Sequence, residues 1–182
     1  MDFFEVVENR HSYRGSFEDK PVPREDLRRI VQTGLLAPSG KNAQTTTFVI
    51  VDDPALLSRI NEMPQANKAV REARAFIACV IDTRAEPIYE GFSFEIEDCA
   101  AAVENMLLAV TALGYASVWI DGWLRVENRA ADIGALLGVP EGKIVRVLLP
   151  VGIPAKEVRS RVEKLPFEAR AWFNRYGSDD SS

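Results

Sequence analysis

The first candidate site is a short basic segment containing Arg10, His11, Ser12 and Arg14. Guanidinium groups can form two parallel hydrogen bonds to phosphate oxygens, and a serine hydroxyl adds a further donor. Basic residues at the end of a helix also complement the helix dipole and are usually solvated. Taken alone, the segment is therefore either an anion-binding site or a solvated helix end.

A second segment, Ala37–Gln44, is a loop of small and polar residues that contains Pro38, Ser39, Gly40 and Asn42. These residue types are common in turns, so a plain turn is one interpretation. The other is a binding loop, because side-chain amides and exposed backbone groups suit the polar edge of a planar heterocycle.

A third segment, Gly114–Trp123, reads as a strand that runs into Asp-Gly between two tryptophans, and it contains Trp119, Ile120, Asp121 and Gly122. Asp-Gly is a common hairpin turn, and a tryptophan here could simply pack in a core. In the functional interpretation, Gly122 lets backbone N–H groups approach a ligand ring closely.

A fourth segment, Pro150–Lys156, leads to Arg159 and Arg161. It is either a second anion-binding segment or an ordinary exposed run of charge.

The composition argues against several other kinds of site. His11 is the only histidine, and Cys79 and Cys99 lack CxxC spacing, so we expect two buried thiols and no zinc cluster or disulfide framework. The net charge of -5 argues against nucleic acid as a partner. The longest uncharged stretch, Asn105–Ile120, is too short for a membrane span, and no signal-peptide pattern opens the chain. We therefore expect a soluble, cytoplasmic protein with no membrane partner.

Helices and strands must position these segments, and their patterns alternate along the chain. Helices are predicted behind Asp2, across Leu27–Leu35, after Asp53 and Pro54 as cap and first residue, across Ala100–Leu113, and from a cap at Asn128 to near Gly138. Strands are predicted at Thr46–Val51, Phe76–Ile81, Tyr115–Ile120 and Ile144–Val151. The class is therefore α/β or α+β, with a helix-covered sheet whose strand order the pattern does not give.

With 182 residues and 47% hydrophobic residues, the chain has the size and composition of one globular domain. We expect that domain to span residues 1–177, followed by a disordered polar tail at 178–182.

In their order and spacing, the four segments resemble the nitroreductase family, from Met1 to about Phe167. The resemblance depends mainly on Arg-x-Ser-x-Arg at Arg10–Arg14, Ala-Pro-Ser-x-x-Asn-x-Gln at Ala37–Gln44, and Val-Gly-x-Pro-Ala at Val151–Ala155. The small-residue helix start at Asp98–Ala102 is also similar. The chain departs from the family at Thr45-Thr46, where Pro-Trp is common, at Glu163, where a basic residue is frequent, and at Asp121, where many members have Glu or Gly.

The resemblance implies an α+β fold with a central mixed sheet covered by helices, in an intertwined homodimer that holds FMN in two shared pockets. It implies that Arg10, Ser12 and Arg14 hold the phosphate, the ribityl chain and the pyrimidine edge, with His11 alongside through its backbone. Arg159 and Arg161 would close on the phosphate. Pro38, Ser39, Gly40 and Asn42 would approach from the partner or the ring edge, and Trp119, Ile120, Asp121 and Gly122 would pass beside the central ring.

The function implied is the transfer of hydride from NADH or NADPH through flavin N5 to a nitroaromatic, quinone or similar small-molecule acceptor, by a ping-pong mechanism. The flavin would carry the chemistry, so no catalytic side chain or metal is expected. Two alternatives stay open. One is another flavin enzyme on the same scaffold, such as a dehalogenase, an enoate-type reductase, a dehydrogenase or a flavin-consuming enzyme. The other is a non-enzymatic FMN-binding or storage module.

Overall fold

The computed structural model describes residues 1–156 and 162–178. Helix α1 (Phe3–Asn9) begins with a capping box, in which the Asp2 carboxylate accepts the Glu5 N–H at 3.0 Å and the Glu5 carboxylate accepts the Asp2 N–H at 2.9 Å. Helix α2 (Arg24–Leu35) buries Leu27 and Ile30 on one face. Both predicted helices are confirmed.

The sheet has three strands, β1 (Thr47–Val51), β2 (Ala75–Asp82) and β3 (Lys143–Val151), in that spatial order. Both pairings are antiparallel. A mixed sheet, as expected from the sequence, would also contain a parallel pair, and the described strands form none. β2 lies in the middle and is buried from Ala75 to Ile81, as its continuous apolar sequence requires.

The prediction of a strand at Tyr115–Ile120 is wrong. The segment makes only two isolated bridges to the β3 side, Ala116 with Gly152 and Ile120 with Leu148. Between them, in the same antiparallel register, Val118 lies opposite Pro150, while the Ser117 carbonyl faces the other way and accepts the Tyr13 N–H at 2.9 Å. The ladder is interrupted here because Pro150 has no N–H to donate to the Val118 carbonyl.

Helix α3 (Pro54–Asn61) confirms its predicted cap, since the Asp53 carboxylate accepts the N–H groups of Ala55 and Leu56 at 2.9 and 3.0 Å. A one-turn helix α4 (Lys68–Arg71) follows.

Helix α5 (Glu95–Ala112) begins earlier than the predicted Ala100, because its first turn carries acidic residues that suit the positive end of the helix dipole. Helix α6 (Arg129–Leu136) lacks the predicted side-chain cap. Asn128 has a left-handed backbone with φ 60°, and its amide donates to the Asp132 carboxylate at 3.2 Å.

Helices cover both faces of the sheet. On one face, α2 and α5 pack against Ile77 and Cys79 of β2, and on the other, α3, α4 and α6 pack against Phe76 and Ala78. The alternation along β2 thus gives a helix–sheet–helix sandwich. Cys79 and Cys99 are free and buried, as expected.

Candidate functional site

Tyr13 anchors the basic segment Arg10–Arg14. Its backbone N–H donates to Ser117, its ring is buried, and its hydroxyl donates to the carbonyl of Ser16. Because Tyr13 is fixed in the core, its neighbours Ser12 and Arg14 are left exposed on either side.

The C-terminal end of β3 runs on beside the residues that follow this segment. The Glu18 N–H donates to Ile153 at 2.8 Å, and the Ala155 N–H donates to Ser16 at 2.9 Å. A Cβ at Gly152 would lie 2.7 Å from the Phe17 ring, so this approach requires glycine. The first and fourth sequence segments are therefore adjacent, although Arg159 and Arg161 lie outside the described residues.

A cavity of about 940 Å³ opens over the basic segment. Its lining includes Arg10, His11, Ser12, Arg14, Glu104 and Lys164. Arg10 Nε lies 3.3 Å from a Glu104 carboxylate oxygen, whereas no described residue pairs with the Arg14 guanidinium. The size lies within the usual range for small-molecule and cofactor sites. The wall carries three cationic side chains, Arg10, Arg14 and Lys164, against the two carboxylates of Glu8 and Glu104.

His11 adds an acceptor to this wall. Its Nδ1 lies 2.8 Å from the Asn9 carbonyl, which can only accept, so Nδ1 carries the hydrogen. Its Nε2 is buried with no partner among residues 1–156 and 162–178. In the neutral ring Nε2 is an acceptor, so a ligand hydroxyl would satisfy it. The donors and this acceptor together fit a phosphate-bearing polyol such as the FMN side chain.

The second segment lies elsewhere on the same chain. Pro38 and Ser39 line a separate cavity of about 320 Å³ together with Thr45, Thr46 and Asp98. Gly40 and Asn42 belong to a short 3-10 turn, Gly40–Asn42, and line neither cavity. Within one chain, this loop and the basic segment therefore line different cavities.

The third segment contributes a charge cluster. Asp121 accepts from Arg125 Nε at 2.6 Å and from Arg146 Nη1 at 2.5 Å. Partial burial would raise the pKa of Asp121, but the hydrogen bonds and charges of Arg125 and Arg146 outweigh it and lower that pKa below its usual range. The carboxylate is thus held ionised and neutralised by two guanidinium groups.

The neighbours of Asp121 face the interior or open space. Ile120 is buried, and Trp119 is half-buried against the core on the α2 and α5 side. A Cβ at Gly122 would have no atom within 4 Å, so the chain itself does not require glycine there. None of these residues lines the two cavities described above.

Sequence reasoning missed two residues at these positions. Arg146 is a charged residue inside the apolar strand β3, and that contrast could have identified it. Asp98 was noted only as part of a motif, yet its buried carboxylate contacts the Gly40–Thr45 loop. No local sequence signal points to that contact.

The two buried cysteines are neighbours, and the hydrogen bond with the Cys79 thiol lowers the pKa of Cys99. The neighbouring Cys99 thiol and burial together raise the pKa of Cys79, so that this thiol stays protonated. Within the described ranges, no group of three potential metal-ligating residues occurs, and no helix is long and apolar enough to cross a membrane.

Comparison with known proteins identifies a matching family model. The model, described as the nitroreductase family, matches residues 7–91 and 66–153. An Archaeoglobus fulgidus protein, provisionally named NADH dehydrogenase/NAD(P)H nitroreductase, is 32% identical over 152 residues, covering 84% of this chain and 85% of that protein. A Staphylococcus haemolyticus NADPH-dependent oxidoreductase is 27% identical, covering 97% of this chain and 74% of that protein.

Among solved structures, an FMN-dependent nitroreductase from Clostridium difficile superimposes with a TM-score of 0.79. It is 26% identical, and the match covers 95% of this chain and 99% of that one.

Proposed function

Because this chain belongs to the nitroreductase family, we propose that it is an FMN-dependent oxidoreductase that takes hydride from NADH or NADPH and reduces nitroaromatic, quinone or similar electrophilic small molecules. The observation that carries the proposal is the basic cavity on Arg10–Arg14, which combines cationic donors with an unsatisfied His11 acceptor. The names of the similar proteins, which include NAD(P)H and FMN, support the choice of cofactors.

The chain's own residues would bind and orient the cofactor. Arg10 and Arg14 would hold anionic oxygens, Ser12 would donate to them, and His11 Nε2 would accept from a ribityl hydroxyl. Arg159 and Arg161, which follow the segment beside Ser16, are proposed to complete the phosphate contacts. When bound, FMN would supply a ring that accepts hydride from the nucleotide and passes the reducing equivalents to the acceptor in a second half-reaction.

The positive side chains of the basic segment would favour the reduced, electron-rich state of the flavin. Reduced flavin carries negative charge near N1 and O2, and positive side chains around it stabilise that state. We propose that the segment from Trp119 to Gly122 lies beside the ring. The two guanidinium groups on Asp121 prevent its carboxylate from opposing reduction.

A homodimer would complete the pocket. Pro38 and Ser39 lie apart from the basic cavity in one chain, so we propose that Pro38, Ser39, Gly40 and Asn42 approach the flavin held by the partner. Large apolar side chains are exposed on α1, at the end of α2 and along 162–178, and they offer a surface for this contact: Phe3, Phe4, Leu35, Leu36, Val162, Leu165, Phe167, Phe173 and Tyr176.

Two experiments test the proposal. The cofactor is released from the purified protein by heat and identified by chromatography, and FMN is expected; FAD, or no flavin after reconstitution, would contradict it. Anaerobic reduction of the holoprotein by NADH and by NADPH is then followed by reoxidation with nitro, quinone and halogenated acceptors. Bleaching by either nucleotide and reoxidation by nitro or quinone compounds is expected. A bound FMN that neither nucleotide reduces would instead indicate a storage module.

A further inference from the structure

We propose that Asp98 is the positioning residue of the loop Ala37–Thr45, and that it holds Pro38 and Ser39 in the conformation with which they contact the flavin. The inference rests on the proposed function, because it assigns the loop to the cofactor pocket. Asp98 itself lies on α5 and need not touch the cofactor.

Both carboxylate oxygens of Asp98 bind this loop. Oδ1 accepts the backbone N–H of Gly40 at 2.9 Å, and Oδ2 accepts the hydroxyl of Thr45 at 3.0 Å. Asp98 is only 6% exposed, and no described cation pairs with it. A buried charge without a cation must be compensated by hydrogen bonds, so the loop donors and the positive end of α5 stabilise this carboxylate.

The loop conformation needs such an anchor. Lys41, Asn42 and Gln44 have φ values of 46°, 57° and 52°, a left-handed region that residues other than glycine rarely adopt. Conformations of this kind persist only where surrounding contacts impose them. Asp98 binds the loop at Gly40 and at Thr45, on either side of the three strained residues.

The residue that precedes α5 also limits where the loop can lie. A Cβ at Gly40 would be 2.6 Å from the ring of Phe94, the residue that precedes α5. The loop therefore packs closely against Phe94, and hydrogen bonds to the Asp98 carboxylate hold it there. Ser39 is adjacent to Gly40, and its Oγ accepts the Gln44 N–H at 3.0 Å, so releasing Asp98 would displace Ser39 as well.

The test compares Asp98→Ala with Asp98→Asn in the full-length protein. Alanine removes both bonds. Asparagine keeps them, because its carbonyl can accept from Gly40 and its amide can donate to the Thr45 hydroxyl. The matched control is Glu97→Ala, which removes an exposed carboxylate from the same helical turn.

The measurements are the FMN dissociation constant from flavin fluorescence, visible-region circular dichroism of the bound flavin, and amide hydrogen exchange across 39–44 without cofactor. For Asp98→Ala we expect an about tenfold weaker FMN affinity, an altered flavin dichroism and faster exchange at Gly40. Asp98→Asn should restore all three readouts to near wild type, and Glu97→Ala should leave them unchanged.

Folded Asp98→Ala that binds FMN as tightly as wild type would overturn the inference, as would Asp98→Asn that is as weak as Asp98→Ala. If Asp98→Ala does not fold, Thr45→Val removes one of the two bonds and must still weaken FMN binding; unchanged affinity would overturn the inference. A wild-type protein that binds no FMN would instead refute the proposed function, so the two failures are distinguishable.

Discussion

Arg14 gives the most direct test of cofactor binding. It lines the large cavity, and its guanidinium forms no ion pair with a described residue. Removing a charge-assisted hydrogen bond costs about 1.5 to 3 kcal/mol. Arg14→Ala should therefore weaken FMN binding by about ten- to a hundredfold in a fluorescence titration. Arg28→Ala, which removes an exposed arginine from α2, is the matched control and should have no effect. Equal FMN affinities for the two variants would show that Arg14 is a solvated residue at the end of the helix and does not bind the cofactor.

Asp121 gives the protein a pH-dependent contribution to stability. Its pKa is lowered in the folded state, so the stabilisation is present above the unfolded value of about 3.9 and is lost as the pH falls through the lower folded value. Asp121→Asn should reduce the free energy of unfolding by about 1 to 2 kcal/mol at neutral pH. The difference from wild type should shrink below about pH 4.

Urea unfolding of both proteins across the acid range measures this difference. Glu141→Gln, at an exposed position, serves as the control and should differ little from wild type at any pH. A difference for Asp121→Asn that stays constant, or grows, on acidification would contradict the role assigned to its ion pairs.

At the scale of elements, the contact between the segment after β3 and the segment after α1 depends on Gly152. An added Cβ would meet the buried Phe17 ring at 2.7 Å, and overpacking of this kind costs about 1 to 3 kcal/mol. Gly152→Ala should lower the free energy of unfolding by that amount and weaken FMN binding, because Phe17 follows the basic segment. Gly134→Ala in α6 is the control. Its Cβ would lie 3.6 Å from Val139, and alanine should be neutral or stabilising there. Equal stability of the two variants would mean that the segments can separate without loss.

At the scale of the whole molecule, the separation of the two cavities and the exposed apolar side chains predict a homodimer. Stable homodimers bury large apolar surfaces, and the exposed residues of α1, α2 and 162–178 supply one. Light scattering coupled to gel filtration should give a mass near twice the 20.3 kDa of the chain. A stable monomer that still binds FMN would show that the pocket is not shared.

Local sequence determined much of the secondary structure. The spacing of Leu27 and Ile30 predicts the buried face of α2, and Asp53 before Pro54 predicts the start of α3, because helix periodicity and capping depend on residues within one or two turns. The apolar pattern of β2 similarly predicts a buried strand. The motifs also identified the family, since their order and spacing can be read directly from the chain.

Only the tertiary structure decided which groups meet. The segment 115–120 meets β3 where Pro150 lacks an N–H, so a segment with strand-like composition makes two isolated bridges and not a strand. Asp98 reaches Gly40 across 58 residues, and Arg146 reaches Asp121 across 25 residues. Local pattern does not encode such pairings, because a hydrogen bond or an ion pair depends on distance in space. Folding therefore determines how the loop is held and which charges neutralise Asp121.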